Sequence, residues 1–265
     1  MAGLKRYAEL AQLAARVAKQ VGDAIAIEDI AIVTKKKGRA NFATRADHSA
    51  EQAILRRLTQ ATPEVPVLAE ESATGAPSAG AVWVVDPIDG TLNFSRGIPF
   101  YCVAIGYTES RRTKAAAVYA PRTGELFVAA EGSGATLNSA AIGVAEPRAI
   151  EECFVVESLA FRGTTRRGST FVAMNRISAR QRVIGSAALE MCYVAAGRFD
   201  LFIHGSLSPW DIAAPWLIVR EAGGVVVDRA TGRAGDAFTR RVVAGHPKVV
   251  KEAFAKVPEL MIKKN

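Results

Sequence analysis

Two aspartates, Asp86 and Asp89, follow a run of apolar residues and stand three positions apart. The run, residues 81–85, is rich in β-branched side chains and predicts a buried strand. The chain then turns at Gly90, and residues 91–94 are predicted to open a short helix. Carboxylates at the end of a strand, beside a helix N-terminus that attracts anions, suit Mg²⁺ bridging to a phosphate. For Asp89-Gly90 alone, an ordinary turn is the simpler interpretation.

The longer stretch from Trp83 to Phe94 is more specific. It resembles the signature of the inositol monophosphatase family, W-x-[V/I]-D-P-[I/L]-D-G-T-x-N-F. A second stretch, Trp210 to Ala214 followed by Glu221-Ala-Gly-Gly224, resembles the second signature of that family. The resemblance covers nearly the whole chain. It implies an α/β (α+β) fold, the layered αβαβα sandwich of the inositol monophosphatase and fructose-1,6-bisphosphatase type.

The resemblance also implies a metal centre with two or three Mg²⁺ ions. One ion would be held by Glu70, Asp86 and the Ile88 carbonyl, and a second by Asp86, Asp89 and Asp211. Glu70 would also reach a third ion. Four carboxylates without cations would repel one another at a cost of several kcal/mol, which the metal ions would relieve.

The remaining site residues are also implied by the resemblance. Glu70 and the Thr91 hydroxyl would orient a metal-activated water that attacks phosphorus, and Asp47 would link to Thr91. Asp47 precedes a predicted helix, so an N-cap is its simpler role, and both roles can coexist. The positions expected to contact substrate are Gly90, Thr91, Gly185, Ser186, Ala187, His204 and Asp211.

Two departures from the family pattern stand out. Asn41 replaces the first Asp of the motif D-x-V-T-x-x-D, in which Thr44 and Asp47 match. His204 occupies a position where members acting on inositol phosphates often carry a glutamate. Loss of that carboxylate predicts relaxed selectivity, with a bisphosphate accepted at least as well as inositol 1-phosphate.

Helical and strand patterns indicate how these residues are positioned. Apolar residues at helical spacing predict a first helix that ends near Gly22. Residues 187–196 predict another helix, stopped by Gly197. We expect an N-terminal α+β subdomain with the metal site, 1–145, and a C-terminal α/β subdomain that completes it, 146–265. Between Ser158 and Arg182 the chain carries arginines that could hold a second phosphate: Arg162, Arg166, Arg167, Arg176, Arg180 and Arg182.

The amino-acid composition narrows the class of protein to which the chain can belong. The chain has 265 residues, 49% hydrophobic and 23% charged, which is typical of a globular protein. Its net charge of +8 favours an anionic partner without choosing among metabolite, nucleic acid and acidic membrane. Three cysteines in apolar runs predict buried thiols and, with no membrane span or leader apparent, a cytoplasmic protein. The sequence lacks the G-x-S-x-G motif that would indicate a serine hydrolase. Its three histidines are scattered and do not have the spacing of a zinc site.

The sequence therefore predicts a Mg²⁺-dependent phosphate monoesterase acting on inositol 1-phosphate or a related sugar phosphate. Fructose 1,6-bisphosphate, histidinol phosphate and adenosine 3′,5′-bisphosphate are alternative substrates. Binding of RNA or a transcription complex on the same scaffold is the alternative from another class. The resemblance further implies sensitivity to Li⁺ and a homodimer, with a small phosphorylated metabolite as the partner.

Overall fold

The computed structural model describes residues 2–27, 35–36, 42–43, 45–73, 80–158 and 166–262. Asn41, Thr44 and Arg162 lie outside these ranges. Among the described residues, no helix combines the length and the apolar character that crossing a membrane requires.

The described chain contains both helices and strands throughout, with a run of successive strands in the middle. The helices are α1 (Ala2–Ile27), α2 (Arg45–Ala61), α3 (Thr91–Ser95), α4 (Arg166–Ile177), α5 (Ala187–Ala195), α6 (Pro209–Glu221) and α7 (Pro247–Lys256). The strands are β1 (Lys35–Lys36), β2 (Phe42–Ala43), β3 (Val67–Ala69), β4 (Ala81–Asp89), β5 (Cys102–Glu109), β6 (Arg112–Ala120), β7 (Glu125–Ala130), β8 (Ala135–Leu137), β9 (Ala140–Ile142), β10 (Phe154–Ser158), β11 (Arg180–Arg182), β12 (Leu201–His204), β13 (Val225–Asp228) and β14 (Val242–Gly245).

The strands of the described chain form two large sheets, one from each half. The first has seven strands in the order β3-β4-β5-β6-β7-β8-β9, and the second has five in the order β11-β10-β12-β14-β13. A third, two-stranded sheet pairs β1 with β2. Because side chains alternate along a strand, β4 contributes to two different cores. Trp83 and Val85 pack with α1 and α2, whereas Val82 and Val84 pack with α5 and α6.

The layers follow from this alternation. The cluster that contains α5 and α6 also includes Phe202 and Val226 of the five-stranded sheet, so these helices lie between the sheets. The opposite face of that sheet packs Leu201 and Ile203 against α4 and α7. The order is helices, sheet, helices, sheet, helices, which confirms the predicted αβαβα sandwich. The division at residues 145/146 stays a prediction.

Two local expectations were wrong. Helix α1 continues through Gly22 to Ile27. A Cβ at Gly22 would lie 2.5 Å from Cδ1 of Tyr119, so the glycine lets the helix pack closely on β6 instead of ending it. Helix α2 begins at Arg45, which places Asp47 inside its first turn and not at the N-cap.

The irregular end of β4 matters most for the site. The pairing register places Asp86 opposite Ala104 and Asp89 opposite Cys102, with a shift between them. A step of three residues along β4, from Asp86 to Asp89, thus corresponds to a step of two residues along β5, from Ala104 to Cys102. One strand has an extra residue, as in a β-bulge. In a regular strand, residues three apart point to opposite faces. The extra residue places both aspartates on the face that packs against α5 and α6.

Candidate metal centre

Three carboxylates from the two halves of the chain converge between the sheets. Oxygen atoms of Asp86, Asp89 and Asp211 all lie within 4.8 Å of one another. Asp86 and Asp89 come from the bulged end of β4, and Asp211 comes from the first turn of α6. Helix α6 approaches the sheet closely because Gly106 lacks a side chain there. A Cβ at Gly106 would lie 3.1 Å from the backbone nitrogen of Ala214.

Asp89 is held by the N-terminus of α5. Its Oδ2 atom accepts hydrogen bonds from the Ser186 hydroxyl at 2.6 Å and from the Ala188 amide at 2.7 Å. Its Oδ1 atom accepts from the Ala187 amide at 3.3 Å. Burial raises the pKa of Asp89, and these donors oppose the shift. The contacts fix the orientation of the carboxylate and support its ionised form.

Asp211 is fixed by its own helix. The backbone amide of Ser208 donates to its Oδ2 atom at 2.6 Å, and the two residues form a capping box. Asp211 is therefore the third residue of α6 and not its N-cap, the role that its position at a helix start would suggest. Burial and the nearby charge of Asp89 raise its pKa to about 7.

Glu70 lies beside this group without belonging to the set of three. Its backbone amide donates to the Val85 carbonyl at 3.3 Å, which places it next to the end of β4. Burial raises the pKa of Glu70 to about 9, and the charges of Asp211, Glu71, Asp47 and Asp89 add to the shift. Burial and the charge of Glu70 likewise raise the pKa of Asp86 well above its usual range.

The predicted polar link between Asp47 and Thr91 is present. The Thr91 hydroxyl donates to Asp47 Oδ1 at 3.0 Å, and it lies at the same distance from the Ile88 carbonyl. The Ile88 amide donates to Asp86 Oδ1 at 3.1 Å, which ties this turn to the carboxylates. Gly90 has φ +93°. Any Cβ there would lie 3.1 Å from the Phe100 carbonyl oxygen. Both the positive φ and this close contact favour glycine at the position.

The donor set fits Mg²⁺. It consists of hard carboxylate oxygens, and those of Asp86 and Asp89 are almost entirely buried. Among the described residues, no Lys or Arg forms an ion pair with Glu70, Asp86, Asp89 or Asp211. A bound cation would stabilise the ionised form of carboxylates gathered in such a buried site.

The loop before α5 is organised by residues that the sequence analysis did not select. Glu190 is fully buried, and its Oε1 atom accepts from the amides of Ile184 and Gly185 at 3.1 and 2.9 Å. Asn93 donates to the Ile184 carbonyl at 2.9 Å and so joins α3 to this loop. The signal available in the sequence was a glutamate inside an otherwise apolar helical run.

Ser186 and His204 have contacts of their own. The Ser186 side chain is fully buried against Asp89. His204 ends β12 on the same face as Phe202, and its ring stacks on that of Phe202 at 5.9 Å. Its Nδ1 atom accepts from the Ser206 amide at 3.0 Å. The proton of the neutral ring is therefore on Nε2, which makes that atom a donor.

The arginine-rich stretch is only partly described. Arg180 is exposed, and the guanidinium of Arg182 lies 5.2 Å from the centre of the Phe154 ring. The binding of a second phosphate by this stretch stays a prediction.

The fold is that of the class that the sequence resembles, phosphatases built on an αβαβα sandwich. The family model described as "Inositol monophosphatase family" matches residues 4–261, and the chain belongs to this family.

Relatives with different names are identical to this chain at similar percentages of positions. The chain is 36% identical over 232 residues to a fructose-1,6-bisphosphatase/inositol-1-monophosphatase of Thermotoga maritima, covering 86% of this chain and 88% of the relative. It is also 36% identical over 250 residues to the Nus factor SuhB of Escherichia coli K12, covering 92% and 93%. Its structure is similar to that of the extragenic suppressor protein suhB from Bartonella henselae, with a TM-score of 0.87, 31% identity and coverage of 94% and 98%. Similarity to an inositol monophosphatase (IMPase) structure from Thermotoga maritima gives a TM-score of 0.81, 34% identity and coverage of 93% and 97%.

Proposed function

We propose that the protein is a Mg²⁺-dependent phosphate monoesterase that hydrolyses inositol 1-phosphate or a related sugar phosphate. The observation that carries this proposal is the convergence of Asp86, Asp89 and Asp211 within 4.8 Å, between two sheets of the family fold. Residues from both halves of the chain are brought together where a cation can bind them jointly. An ordinary turn at Asp89-Gly90 would not require this convergence.

The metal ligands would be Glu70, Asp86, the Ile88 carbonyl, Asp89 and Asp211, for two or three ions. When bound, Mg²⁺ would neutralise the carboxylates and stabilise charge on the phosphate. The Ile88 carbonyl lies 3.0 Å from the Thr91 hydroxyl, and because the hydroxyl proton is donated to Asp47, the lone pairs of this carbonyl remain available to a cation.

The chain would position the attacking water through Thr91 and Glu70. A hydroxyl has one proton, and donation to Asp47 leaves the lone pairs of Thr91 to accept a hydrogen from water. Glu70 would be the second acceptor for that water. The amides of Gly90 and Thr91, at the start of α3, would bind phosphate oxygens. We place the rest of the substrate against Gly185, Ala187, His204 and Asp211, and we assign the Ser186 side chain to holding Asp89.

A substrate screen tests the proposal. Phosphate release is measured with Mg²⁺ for inositol 1-phosphate, fructose 1,6-bisphosphate, histidinol phosphate and adenosine 3′,5′-bisphosphate, each with and without EDTA. We expect chelator-sensitive release from at least one sugar or inositol phosphate. Absence of release from all four in Mg²⁺ would overturn the assignment.

We also propose that the protein is inhibited by Li⁺ and forms a homodimer, as the family resemblance implies. Inhibition by Li⁺ is tested by titrating LiCl against KCl at matched ionic strength, and equal effects of the two salts would remove the claim. A homodimer is tested by light scattering after size-exclusion chromatography. We also propose a cytoplasmic location, which agrees with the three free and buried cysteines.

A second candidate function is binding to RNA or a transcription complex. It is supported by the 36% identity to a Nus factor and by the net charge of +8. The convergence of the three aspartates favours the enzyme. A gel-shift titration with a structured RNA, performed at two salt concentrations, tests this candidate directly.

A further inference from the structure

A large cavity lies apart from the carboxylates. Its volume is ≈1280 Å³, and it opens among the β5–β6 turn, the end of α6, β13, the loop of residues 230–241, and α7. None of the proposed metal ligands lines it. The phosphatase site therefore does not account for this cavity.

Basic residues outnumber acidic residues in the lining of the cavity. Six basic residues contribute to its wall: Arg111, Arg112, Arg220, Arg240, Arg241 and Lys251. The acidic residues in the wall are Asp228 and Asp236. Arg111 already binds Asp236 through two hydrogen bonds of 2.6 and 3.0 Å.

The other acidic residue also has close partners. Asp228 accepts from the Ala230 amide at 2.8 Å and from the Thr231 hydroxyl at 3.1 Å, as the first residue of a turn. Within the described part of the chain, Arg112, Arg240, Arg241 and Lys251 form no ion pair. These cations therefore concentrate positive potential in one concave space, where an anion would be attracted.

The exposed basic residues form the rim of the cavity, and its less exposed apolar residues form the floor. Val225 and Val227 of β13 and Phe254 of α7 are only partly buried, although they pack against the core below. Trp216 is almost fully covered, with the guanidinium of Arg220 over its ring at 4.5 Å. A ligand could thus place an apolar or flat portion on the floor and its charged groups at the rim.

The size and shape of the cavity narrow the ligand class. Small-molecule pockets are typically about 300–1,000 Å³, so a single phosphate would fill only a fraction of this one. Guanidinium groups bind phosphate oxygens in pairs, and several phosphates would be needed to engage the arginines of the rim. Single-stranded nucleic acid is usually bound by a series of stacking aromatic rings along a groove. Here Phe254 is the ring available on the floor.

We propose that this cavity binds a small organic polyphosphate, an anion of nucleotide size with at least two phosphates and an apolar or aromatic portion. The cations of the rim hold the phosphates, and the valines and Phe254 contact the remainder. This site is independent of the carboxylate centre and requires no divalent cation.

Calorimetric titration of ATP and of inorganic triphosphate into the full chain, in EDTA, tests the proposal. Without a divalent cation, the carboxylate centre repels both probes. Arg240→Gln/Arg241→Gln removes two exposed cations of the rim, and we expect it to raise the Kd for ATP at least tenfold. Arg233→Gln/Lys248→Gln is the matched control, because it removes the same charge from exposed residues that do not line the cavity. Thermal unfolding verifies that both variants fold.

The outcomes separate the possibilities. Tighter binding of ATP than of inorganic triphosphate, weakened in the rim variant alone, supports the proposed ligand class. Equal weakening in both double variants would show binding through net charge and would overturn the site. No binding of ATP, or displacement of ATP only by a single-stranded RNA oligonucleotide, would overturn the ligand class. Binding that persists in an Asp89→Asn background shows that the cavity does not depend on the metal centre.

Discussion

The Thr91 hydroxyl donates to Asp47 Oδ1 over 3.0 Å, although the two residues are 44 positions apart. Asp47 is buried in the first turn of α2, and Thr91 begins α3. The contact therefore joins a helix of one layer to the turn that follows β4. Donation to Asp47 uses the hydroxyl proton, which leaves the lone pairs of Thr91 for the water of the proposed mechanism.

This relationship predicts a difference between two substitutions of Thr91. Thr91→Val keeps the shape but removes the hydroxyl, and we expect kcat to fall by roughly 10²-fold or more, as for the loss of a proton-handling group. Thr91→Ser keeps the hydroxyl and should retain most of the activity. Steady-state kinetics with saturating Mg²⁺ measures both variants. Equal activity of the valine variant and the wild type would exclude Thr91 from water orientation.

Asp89→Asn should greatly reduce both the activity and the stabilisation of the fold by Mg²⁺. The change preserves shape but removes a charge shared with the cation, and we expect a loss of about 10²-fold or more in kcat. For the wild type, Mg²⁺ at about 100 times its Kd stabilises the fold by about 2.7 kcal/mol. That corresponds to a rise in Tm of roughly 5–10 °C. Thermal scans with Mg²⁺ and with EDTA should show this difference in the wild type and little of it in the variant.

Ser186→Ala tests the positioning of Asp89. Removing the hydroxyl that donates to Asp89 at 2.6 Å should weaken Mg²⁺ binding by about tenfold or more, as for other groups that orient metal ligands. Cys102→Ala is the matched control, because its sulfur is also buried but lies 3.8 Å from the same oxygen. The Mg²⁺ concentration that gives half-maximal activity is the measurement. Equal effects of the two substitutions would argue against a specific role for Ser186.

Glu157 should make stability depend on pH. Burial raises its pKa to about 7 from a model-compound value of 4.5, although Arg229 and Gln181 oppose the shift. The folded chain therefore holds this proton more tightly than the unfolded chain. The resulting stabilisation is fully present below pH 4.5 and is lost as the pH rises to about 7.

Glu157→Gln removes this titration. The loss of wild-type stability across the interval should be of the order of 1–3 kcal/mol, and the variant should lose less. Urea unfolding at pH 5 and pH 8 measures the free energy of unfolding for both proteins. Parallel pH dependence of the two would contradict the shifted pKa.

His204 should relax selectivity for inositol phosphates. With Nδ1 accepting from Ser206, the neutral ring carries a donor at Nε2, whereas a carboxylate would accept from ring hydroxyls. Losing charge-assisted acceptance costs roughly 1.5–3 kcal/mol. We expect fructose 1,6-bisphosphate or another bisphosphate to be used at least as well as inositol 1-phosphate, and His204→Glu to shift preference toward the inositol ester. Comparison of kcat/KM for both substrates decides the matter, and a wild type that strongly prefers inositol 1-phosphate would contradict it.

Local pattern determined much of the candidate site. The strand over residues 81–85, the turn at Gly90 and the short helix after it are encoded by neighbouring residues, and the structure confirms them. The strand extends beyond its predicted residues to Asp89, because the bulged pairing with β5 continues past Pro87. The resemblance of two distant signatures likewise predicted that Asp86, Asp89 and Asp211 share one site. The structure brings these three carboxylates together, and their roles as ligands stay proposals.

Only the tertiary structure decided how these residues meet. The bulge in β4 that turns Asp86 and Asp89 to one face is defined by pairing with β5, and the sequence of β4 alone does not specify it. The contacts of Asp89 with Ser186 and Ala188 span 97 and 99 positions. They depend on where α5 lies between the sheets. Local propensity governs which residues form a strand or a turn, whereas the packing of layers governs which side chains reach one another.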